Sequence, residues 1–288
     1  MPDELHVVSF NLGLLRWKMG PLKLFESPPH VHDRFVHIPA AIAQCGADII
    51  LLQEIYEQKH VDAVLAAAQP AGYAHHARGD PRTRPWIQFH NGLLCLSKLP
   101  IDGFECLKHA QCSSLEKTLG CKSALAVRLT TPVGKLCFVN LHTTEGGGSD
   151  PEAGDVDTAR QSELDEAAQL CTAAAADGYA GIVCGDLNCG PEASSGNYEH
   201  LFASGYADIL AGFELGPTWD PASPLNNMPV FKGCPAQRID HFLVHADAKL
   251  KATTAERCFT EPCVKAKGGK LDVTLSDHYG IRATLRRA

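Results

Sequence analysis

The sequence lacks several features that would assign it to a specialised class. It contains no apolar run of the roughly 18 residues that a membrane-spanning helix needs, so we expect no stable membrane insertion. Its start, MPDELHVVSF, lacks the basic-then-apolar pattern of a secretory signal, which favours a cytoplasmic protein. Basic residues do not predominate, because 26 Lys and Arg against 33 Asp and Glu give a net charge of -7. This balance argues against a large non-specific nucleic-acid surface, but not against a small, metal-screened site for nucleic acid.

The sequence also lacks a Cys-x-x-Cys pair, although it contains 12 cysteines. Several of them, including Cys95, Cys137 and Cys184, lie in apolar stretches typical of buried strands. We therefore expect mainly reduced thiols in the core. A disulfide between Cys258 and Cys263 is the alternative.

No internal linker, repeat of short period or low-complexity segment interrupts the chain. Its apolar content of 45% and charged content of 20% are ordinary for a soluble globular protein. A chain of 288 residues is long enough for a sizeable core. We therefore expect residues 1–288 to form a single domain, and we expect a monomer.

The most informative stretch is AGIVCGDLNCG, residues 180–190. Its apolar part predicts a short buried strand that delivers Asp186 and Asn188 at its carboxyl end. In an extended chain these two residues, two positions apart, point the same way and reach one cleft together. A carboxylate beside an amide suits a hard metal ion next to a phosphate oxygen. The alternative is a simple turn or helix cap.

Polar residues recur where other apolar strands end. HVVSF ends in Asn11, and ADIILL runs into Glu54; further along the chain the same pattern gives His142, Asp240, and Asp277 with His278. Each position has a structural alternative. Asn11 and the segment around Asp277 could cap turns, Glu54 could begin a helix, His142 could be a packed histidine, and Asp240 could pair with Arg238.

The remaining pattern predicts a strand-rich chain with helices between some of the strands. We expect helices over 34–45, 58–68, 158–176 and 198–203, a hairpin of 121–129 with 135–141, a polar loop over 78–84, and a flexible Gly-rich loop over 145–157 as a candidate lid. A purely parallel sheet would need a helix between every pair of strands. Two mixed sheets packed face to face, with helices outside, fit this order better.

The order of these motifs resembles the endonuclease/exonuclease/phosphatase superfamily. The matching stretches are SFN (9–11), LLQE (51–54), NGLLCLSKLPI (91–101), VNLHTT (139–144), GDLN (185–188), RIDH (238–241) and SDHYGI (276–281). The resemblance implies an α/β fold: a four-layer α/β/β/α sandwich of two mixed, mostly antiparallel sheets, with the site at one rim. It also implies a metal-dependent phosphoric ester hydrolase acting on a phosphodiester.

The resemblance assigns a role to each polar strand end. Glu54 resembles the principal ligand of a Mg²⁺ ion, Asn11 an adjacent ligand, and Asp277 a neighbouring ligand or support. Oxygen ligands of this kind also suit Mn²⁺. For the catalytic group, the resemblance implies that Asp186 activates or orients water, Asn188 holds a phosphate oxygen, His142 donates to the scissile phosphate, His278 is the base or phosphate-binding histidine, and Asp240 orients His278.

The substrate is less closely defined by the sequence. Thr218-Trp219-Asp220 resembles a segment of sphingomyelinases in this superfamily, as does, loosely, the stretch that begins at Lys122. We expect Trp219 at the cleft mouth, against a base or a choline head group, unless it packs under its own loop. Residues 14–19 are a candidate membrane contact or a packed loop. Sphingomyelinase-like phospholipid hydrolysis is our first expectation, a nuclease acting on DNA or RNA the second, and a catalytically silent binding or scaffold protein the third.

Overall fold

Two six-stranded sheets lie at the centre of the structure, a computed structural model that describes residues 3–19, 22–80, 82, 89–112, 121–146 and 153–288. The first sheet contains β1 (Leu5–Asn11), β4 (Ile49–Gln53), β5 (His75–Ala77), β6 (Leu94–Ser97), β13 (Leu250–Cys258) and β16 (Gly280–Arg287). The second contains β7 (Ile101–Lys108), β8 (Ser123–Thr131), β9 (Gly134–His142), β10 (Ala180–Asp186), β11 (Tyr206–Asp208) and β12 (Asp240–His245).

Smaller elements surround these sheets. Two hairpins pair β2 (Leu15–Met19) with β3 (Leu22–Ser27), and β14 (Val264–Ala266) with β15 (Leu271–Val273). The α-helices within the described residues are α1 (Val31–Phe35), α2 (Ile38–Gln44), α3 (Gln58–Ala68), α4 (Ala153–Ala176) and α5 (Ser195–Tyr198). In the described ranges, no helix is both long enough and apolar enough to cross a membrane.

The prediction of two mixed, mostly antiparallel sheets is confirmed. The strand orders are β13-β16-β1-β4-β6-β5 and β11-β12-β10-β9-β8-β7. In each sheet, one central pair is parallel, β1 with β4 and β9 with β10, and the other paired strands are antiparallel. Parallel neighbours end at the same edge of a sheet, and this arrangement brings the polar strand ends together.

The layers follow from which face of each strand is apolar. Between the sheets lies one core, to which Val7, Ile49, Phe138 and Ile182 contribute. Because successive strand residues face opposite ways, Val8 and Ile50 point outward and pack against the residues of α2 and α3. Likewise Val139, Val183 and Leu243 pack against Leu164 and Ala167 of α4. The result is the expected α/β/β/α sandwich.

Several predicted elements differ in detail. The helix expected over 34–45 is two helices, because Pro39 has no N–H to donate to Phe35 and its ring clashes with the preceding turn. The long helix begins at Ala153 rather than at 158, with Asp155 in its first turn, where a negative charge is favourable. Residues 153–157 of the expected loop over 145–157 are therefore helical, and residues 147–152 lie outside the described residues.

Other differences concern short segments. Residues 14–19, expected as a loop or membrane contact, are mostly strand β2. The helix expected over 198–203 is α5 followed by a 3-10 turn, Phe202–Ser204. Of the polar loop over 78–84, residues 81, 83 and 84 lie outside the described residues. The expected hairpin is present as β8 and β9.

Candidate active site

The polar strand ends meet at one rim of the sandwich because of the strand register. In the first sheet, parallel β1 and β4 end level, so Glu54 follows directly beside Asn11. In the second sheet, parallel β9 places His142 opposite Asp186, and antiparallel β12 places Asp240 opposite the same Asp186. The order of strands therefore gathers five side chains that are far apart in the sequence.

A buried pair of amides joins the two sheets just behind this rim. Gln53 Nε2 donates to Asn140 Oδ1 at 2.7 Å, and Asn140 Nδ2 donates to the Leu52 carbonyl at 3.0 Å. Both side chains are fully buried. Each residue lies one or two positions before a site residue, Glu54 or His142, so this bridge fixes the distance between the two halves of the site.

Asn11 connects the two carboxylates at the centre. Its Nδ2 donates to Glu54 Oε1 at 3.0 Å and to Asp186 Oδ2 at 2.8 Å. Its Oδ1 accepts from the backbone N–H of Gly13 at 2.9 Å. In this orientation the amide nitrogen, not the oxygen, faces the carboxylates. Asn11 thus holds Glu54 and Asp186 together, and a role as direct ligand would require its amide to turn over.

Two histidines flank Asp186. His142 Nε2 lies 3.7 Å from both Glu54 Oε1 and Asp186 Oδ2. His278 Nε2 lies 3.6 Å from Asp186 Oδ2. These separations are slightly longer than a hydrogen bond, so each ring nitrogen lies close to the carboxylates without being tied to them. Asp186 and both histidines are at most 5% exposed, so water screens their charges little.

The opposite ring nitrogen of His278 is held by Asp240. The distance from His278 Nδ1 to Asp240 Oδ2 is 3.1 Å, a contact in line with the one that the family resemblance implies. The alternative, an Asp240–Arg238 ion pair, is wrong. Arg238 Nη1 instead donates to Asp208 Oδ2 at 2.6 Å, because Arg238 lies before β12 and points to the far side of the sheet end.

The GDLN segment differs from the extended chain that we predicted. Strand β10 ends at Asp186, and Asn188 adopts a left-handed φ of 47°. The Asn188 N–H donates to Asp186 Oδ1 at 2.9 Å, and its Nδ2 donates to the Thr143 carbonyl at 2.9 Å. A short polar side chain that bonds its own neighbourhood stabilises such a turn. The turn, not strand geometry, brings the two side chains into one cleft.

Burial and like charge raise the pKa values of the two central acids. Burial raises the pKa of Glu54 to about 8, and the carboxylates of Asp277 and Glu145 add to this effect. Burial raises the pKa of Asp186 to about 6, although His278 counteracts it. Glu54 also has a left-handed φ of 56°, a conformation that costs a non-glycine residue roughly 1–2 kcal/mol. Strain and crowded negative charge at one residue are typical of a functional site.

The pKa values of the two histidines are shifted in opposite directions. Burial lowers the pKa of His142 well below its ordinary value, and the charges of Lys122 and His278 act the same way. Burial alone would lower the pKa of His278, but Asp186 and Asp240 outweigh it and raise that pKa well above its ordinary value. At neutral pH the site therefore contains one neutral ring and one imidazolium.

The acids on the Glu54 side fit a hard divalent cation. Asp277 accepts from Ser276 Oγ at 3.1 Å, and a Cβ built on Gly13 would lie only 2.3 Å from Asp277 Oδ1. The atoms available as metal ligands are carboxylate oxygens, and the repulsion between their negative charges favours a positive ion between them. A second group of potential ligand atoms, from Asp186, Asp240 and His278, lies within 4.8 Å in the described part of the chain. Its hydrogen bond between His278 and Asp240 favours the catalytic arrangement over a metal there.

Trp219 lies beside the site in a more buried position than we expected. It is 8% exposed, and its ring packs edge-on against Phe231 at 5.1 Å between centroids. Its backbone pairs with Gln237 and forms an isolated bridge to His278. The observed contacts are thus those of a residue that supports His278, and substrate contact by Trp219 stays a prediction.

Three charged neighbours of the site were not assigned a role from the sequence. Lys122 Nζ donates to the Thr143 carbonyl at 2.8 Å and acts electrostatically on His142. The negative charge of Glu145 raises the pKa of Glu54, and Arg34 donates to backbone carbonyls next to Asn11. Lys122 begins the stretch that loosely resembles sphingomyelinases, and Glu145 directly follows the motif VNLHTT, so each had a weak local signal. Arg34 gives none.

With the site described, known proteins provide a comparison. A sequence profile described as the Endonuclease/Exonuclease/phosphatase family matches residues 8–278. The chain belongs to this family. Members of the family are generally phosphoester hydrolases. No curated protein sequence matches the chain.

Solved structures of family members share the fold over nearly the whole chain. Sphingomyelinase C from Streptomyces griseocarneus is 19% identical, with 98% of this chain and 99% of that chain covered and a TM-score of 0.75. A beta toxin mutant from Staphylococcus aureus with bound magnesium ions is 18% identical, with coverages of 97% and 99% and a TM-score of 0.74. TDP2 from D. rerio, complexed with a single strand DNA product, is 18% identical, with coverages of 98% and 99% and a TM-score of 0.68. At these identities the similarity shows the fold.

Proposed function

We propose that this chain is a Mg²⁺-dependent phosphodiesterase that hydrolyses a phosphoester by attack of water. One observation carries the proposal: the polar ends of strands from both sheets converge around Asp186, with a neutral and a charged histidine on either side. A protein that only binds a partner has no physical need for this buried, mutually repelling set. The arrangement therefore argues against a catalytically silent scaffold.

Glu54 would hold the cation, with Asn11 and Asp277 beside it. The support is the raised pKa of Glu54, which burial and the nearby carboxylates of Asp277 and Glu145 produce. A cation bound there would compensate this concentration of negative charge. When bound, Mg²⁺ neutralises charge on the phosphate and eases departure of the leaving oxygen; Mn²⁺ has the same preference for oxygen ligands. The magnesium ions in the beta toxin neighbour are consistent with this choice.

Asp186 is the best-placed group to orient and deprotonate water. A base is most effective when its pKa lies near the working pH, and the pKa of Asp186 is raised to about 6. Its Oδ2 accepts from Asn11 at 2.8 Å, and its Oδ1 accepts from the Asn188 N–H at 2.9 Å. Both bonds fix the direction of the carboxylate.

The two histidines and Asn188 would bind the phosphate. His278, held by Asp240, presents a charged N–H, and His142 presents a neutral ring on the opposite side. Asn188 uses one amide hydrogen on the Thr143 carbonyl and has a second one for a phosphate oxygen. Each donor aimed at developing charge contributes about 2–4 kcal/mol in a transition state.

For the substrate class we propose sphingomyelinase-like phospholipid hydrolysis. The similarity to sphingomyelinase C and the net charge of -7 support this choice. A nuclease is the second candidate, because the TDP2 neighbour carries a single strand DNA product in the same fold.

Hydrolysis of a substrate panel tests the proposal. The panel contains sphingomyelin micelles, single- and double-stranded DNA, RNA and an inositol polyphosphate, with Mg²⁺ or EDTA. Glu54→Ala is the inactive variant, and Glu256→Ala, an exposed acid on the edge strand β13, is the matched control. We expect one class to be hydrolysed with Mg²⁺, and the activity to disappear with EDTA and in Glu54→Ala. Equal activity of Glu54→Ala and the wild-type protein would overturn the proposal.

A further inference from the structure

Arg34 of α1 is a fully buried arginine with 0% exposure. A buried guanidinium is unfavourable unless its N–H groups are hydrogen-bonded. Burial lowers the pKa of Arg34, while Asp277 and Glu54 are the acids that most oppose this effect. The positive charge of Arg34 therefore lies near enough to the carboxylates of Asp277 and Glu54 to interact with both.

The hydrogen bonds of Arg34 in the described part of the chain all go to backbone carbonyls. They join three separate segments. The acceptors are Leu12 (3.0 Å) and Leu275 (2.8 Å) for Nη1, Gly13 and Pro28 (3.4 Å) for Nη2, and Pro29 (3.1 Å) for Nε. A planar fork of donors suits this kind of fixed, multi-point contact.

The acceptors lie directly beside the site residues. The Leu12 and Gly13 carbonyls follow Asn11, and the Leu275 carbonyl lies two residues before Asp277. The two segments meet where Gly13 touches the Asp277 side chain, with no room for a Cβ. The guanidinium is thus a spacer whose size sets the distance between them.

We propose that Arg34 is a positioning residue of the cation site. It holds the segment after Asn11 and the segment before Asp277 at the separation at which Glu54 and Asp277 share one divalent cation. This inference rests on the proposed function, because it presupposes a cation at these carboxylates. A purely structural arginine would affect unfolding but not the affinity of the folded protein for the ion.

The direction of the change in cation affinity shows whether Arg34 acts through its charge or by positioning the ligands. Loss of the Arg34 charge alone would strengthen cation binding, because two positive charges would no longer repel. Loss of the carbonyl contacts weakens binding, because the ligands are no longer held together. Arg34→Lys keeps the charge and loses the fork, and Arg34→Met loses both. The proposal predicts weaker binding in both variants.

The test measures the affinity of the purified protein for Mn²⁺ by electron paramagnetic resonance. The temperature is one at which circular dichroism shows that each variant is fully folded. Changing a residue that supports metal ligands typically costs about 10–100-fold in affinity, so we expect at least a tenfold loss in Arg34→Lys. Arg282→Lys is the control, since Arg282 also donates to a backbone carbonyl, that of Cys45, outside the site. It should bind like the wild-type protein.

Gly13→Ala tests the same separation with Arg34 intact, should the arginine variants not fold. An added Cβ at the φ of +55° would displace Asp277, so Mn²⁺ binding should again weaken about tenfold. Wild-type affinity in Arg34→Lys or in Gly13→Ala overturns the positioning role alone. No Mn²⁺ binding by the wild-type protein overturns the cation site itself, and with it the proposed function.

Discussion

Replacement of Asp208 by Asn should make the protein less stable at neutral pH and flatten its acid response. The side chain of Asp208 is fully buried and contacts Arg238 at 2.6 Å and His241 at 3.0 Å. It also accepts from the Tyr198 hydroxyl at 3.0 Å. Burial alone would raise the pKa of Asp208, but His241, Arg238 and the backbone N–H of Leu210 lower it from 3.8 to about 2.

The size of the effect follows from this pKa. At about 1.4 kcal/mol for each pH unit, a folded value near 2 against an unfolded value of 3.8 contributes about 2 kcal/mol to stability. Because the folded pKa is the lower one, this contribution is complete above the unfolded pKa and is lost as the pH falls toward 2. Between pH 5 and pH 3 the wild-type protein should lose about 1 kcal/mol through this group.

Urea unfolding at pH 7, 5 and 3 measures the prediction. Asp208→Asn should unfold at lower urea at pH 7, and its stability should fall less between pH 5 and 3 than that of the wild-type protein. Asp247→Asn is the control, because the Asp247 side chain is 94% exposed and its ion-pair partner among the described residues, His245, is itself partly exposed. If Asp208→Asn and the wild-type protein lost equal stability over that range, the account of the buried cluster would be refuted.

Three further predictions concern the site. His278→Asn should lower turnover at least about 100-fold with an unchanged melting temperature, because a transition-state donor is lost; normal turnover per folded molecule would contradict this. Asp186→Ala should have an effect of similar size, because the proposed base is absent, and steady-state kinetics on the hydrolysed substrate will show whether it does. Trp219→Leu should lower the melting temperature, and its fold-decrease in kcat should exceed its fold-increase in KM. The reason is that Trp219 packs on Phe231 and its backbone pairs with His278. A change in KM alone would instead favour direct substrate contact.

The fold could be predicted from the sequence because local and long-range signals agree. Apolar runs such as residues 47–52 indicate strands buried on both faces, and the hairpin around Pro132 carries its own turn signal. Pro39 is itself a signal for a break in the helix predicted over 34–45, but the helical spacing of the surrounding apolar residues favoured one continuous helix. Edge strands such as β7 and β13 were missed because their half-exposed residues alternate too weakly.

The site was predictable to the extent that its residues lie at strand ends. Asn11, Glu54, His142 and Asp186 each follow an apolar run, and the sheet register brings them together. At Asn188 the alternative interpretation, a turn, is the correct one: asparagine tolerates a left-handed φ, but the apolar run before it favoured an extended chain. The place of Arg34 was not predictable, because its acceptors are backbone carbonyls up to 241 positions away.

The most direct test of the central claim is hydrolysis of a simple phosphodiester, bis(p-nitrophenyl) phosphate, as a function of Mg²⁺ concentration. The account predicts a rate that rises and saturates with Mg²⁺ in the wild-type protein and in Glu256→Gln. It predicts no saturable rate in Glu54→Gln at equal folded fraction. A rate that persists in EDTA, or a Glu54→Gln curve that overlays the wild-type curve, would contradict a metal-dependent phosphodiesterase centred on Glu54.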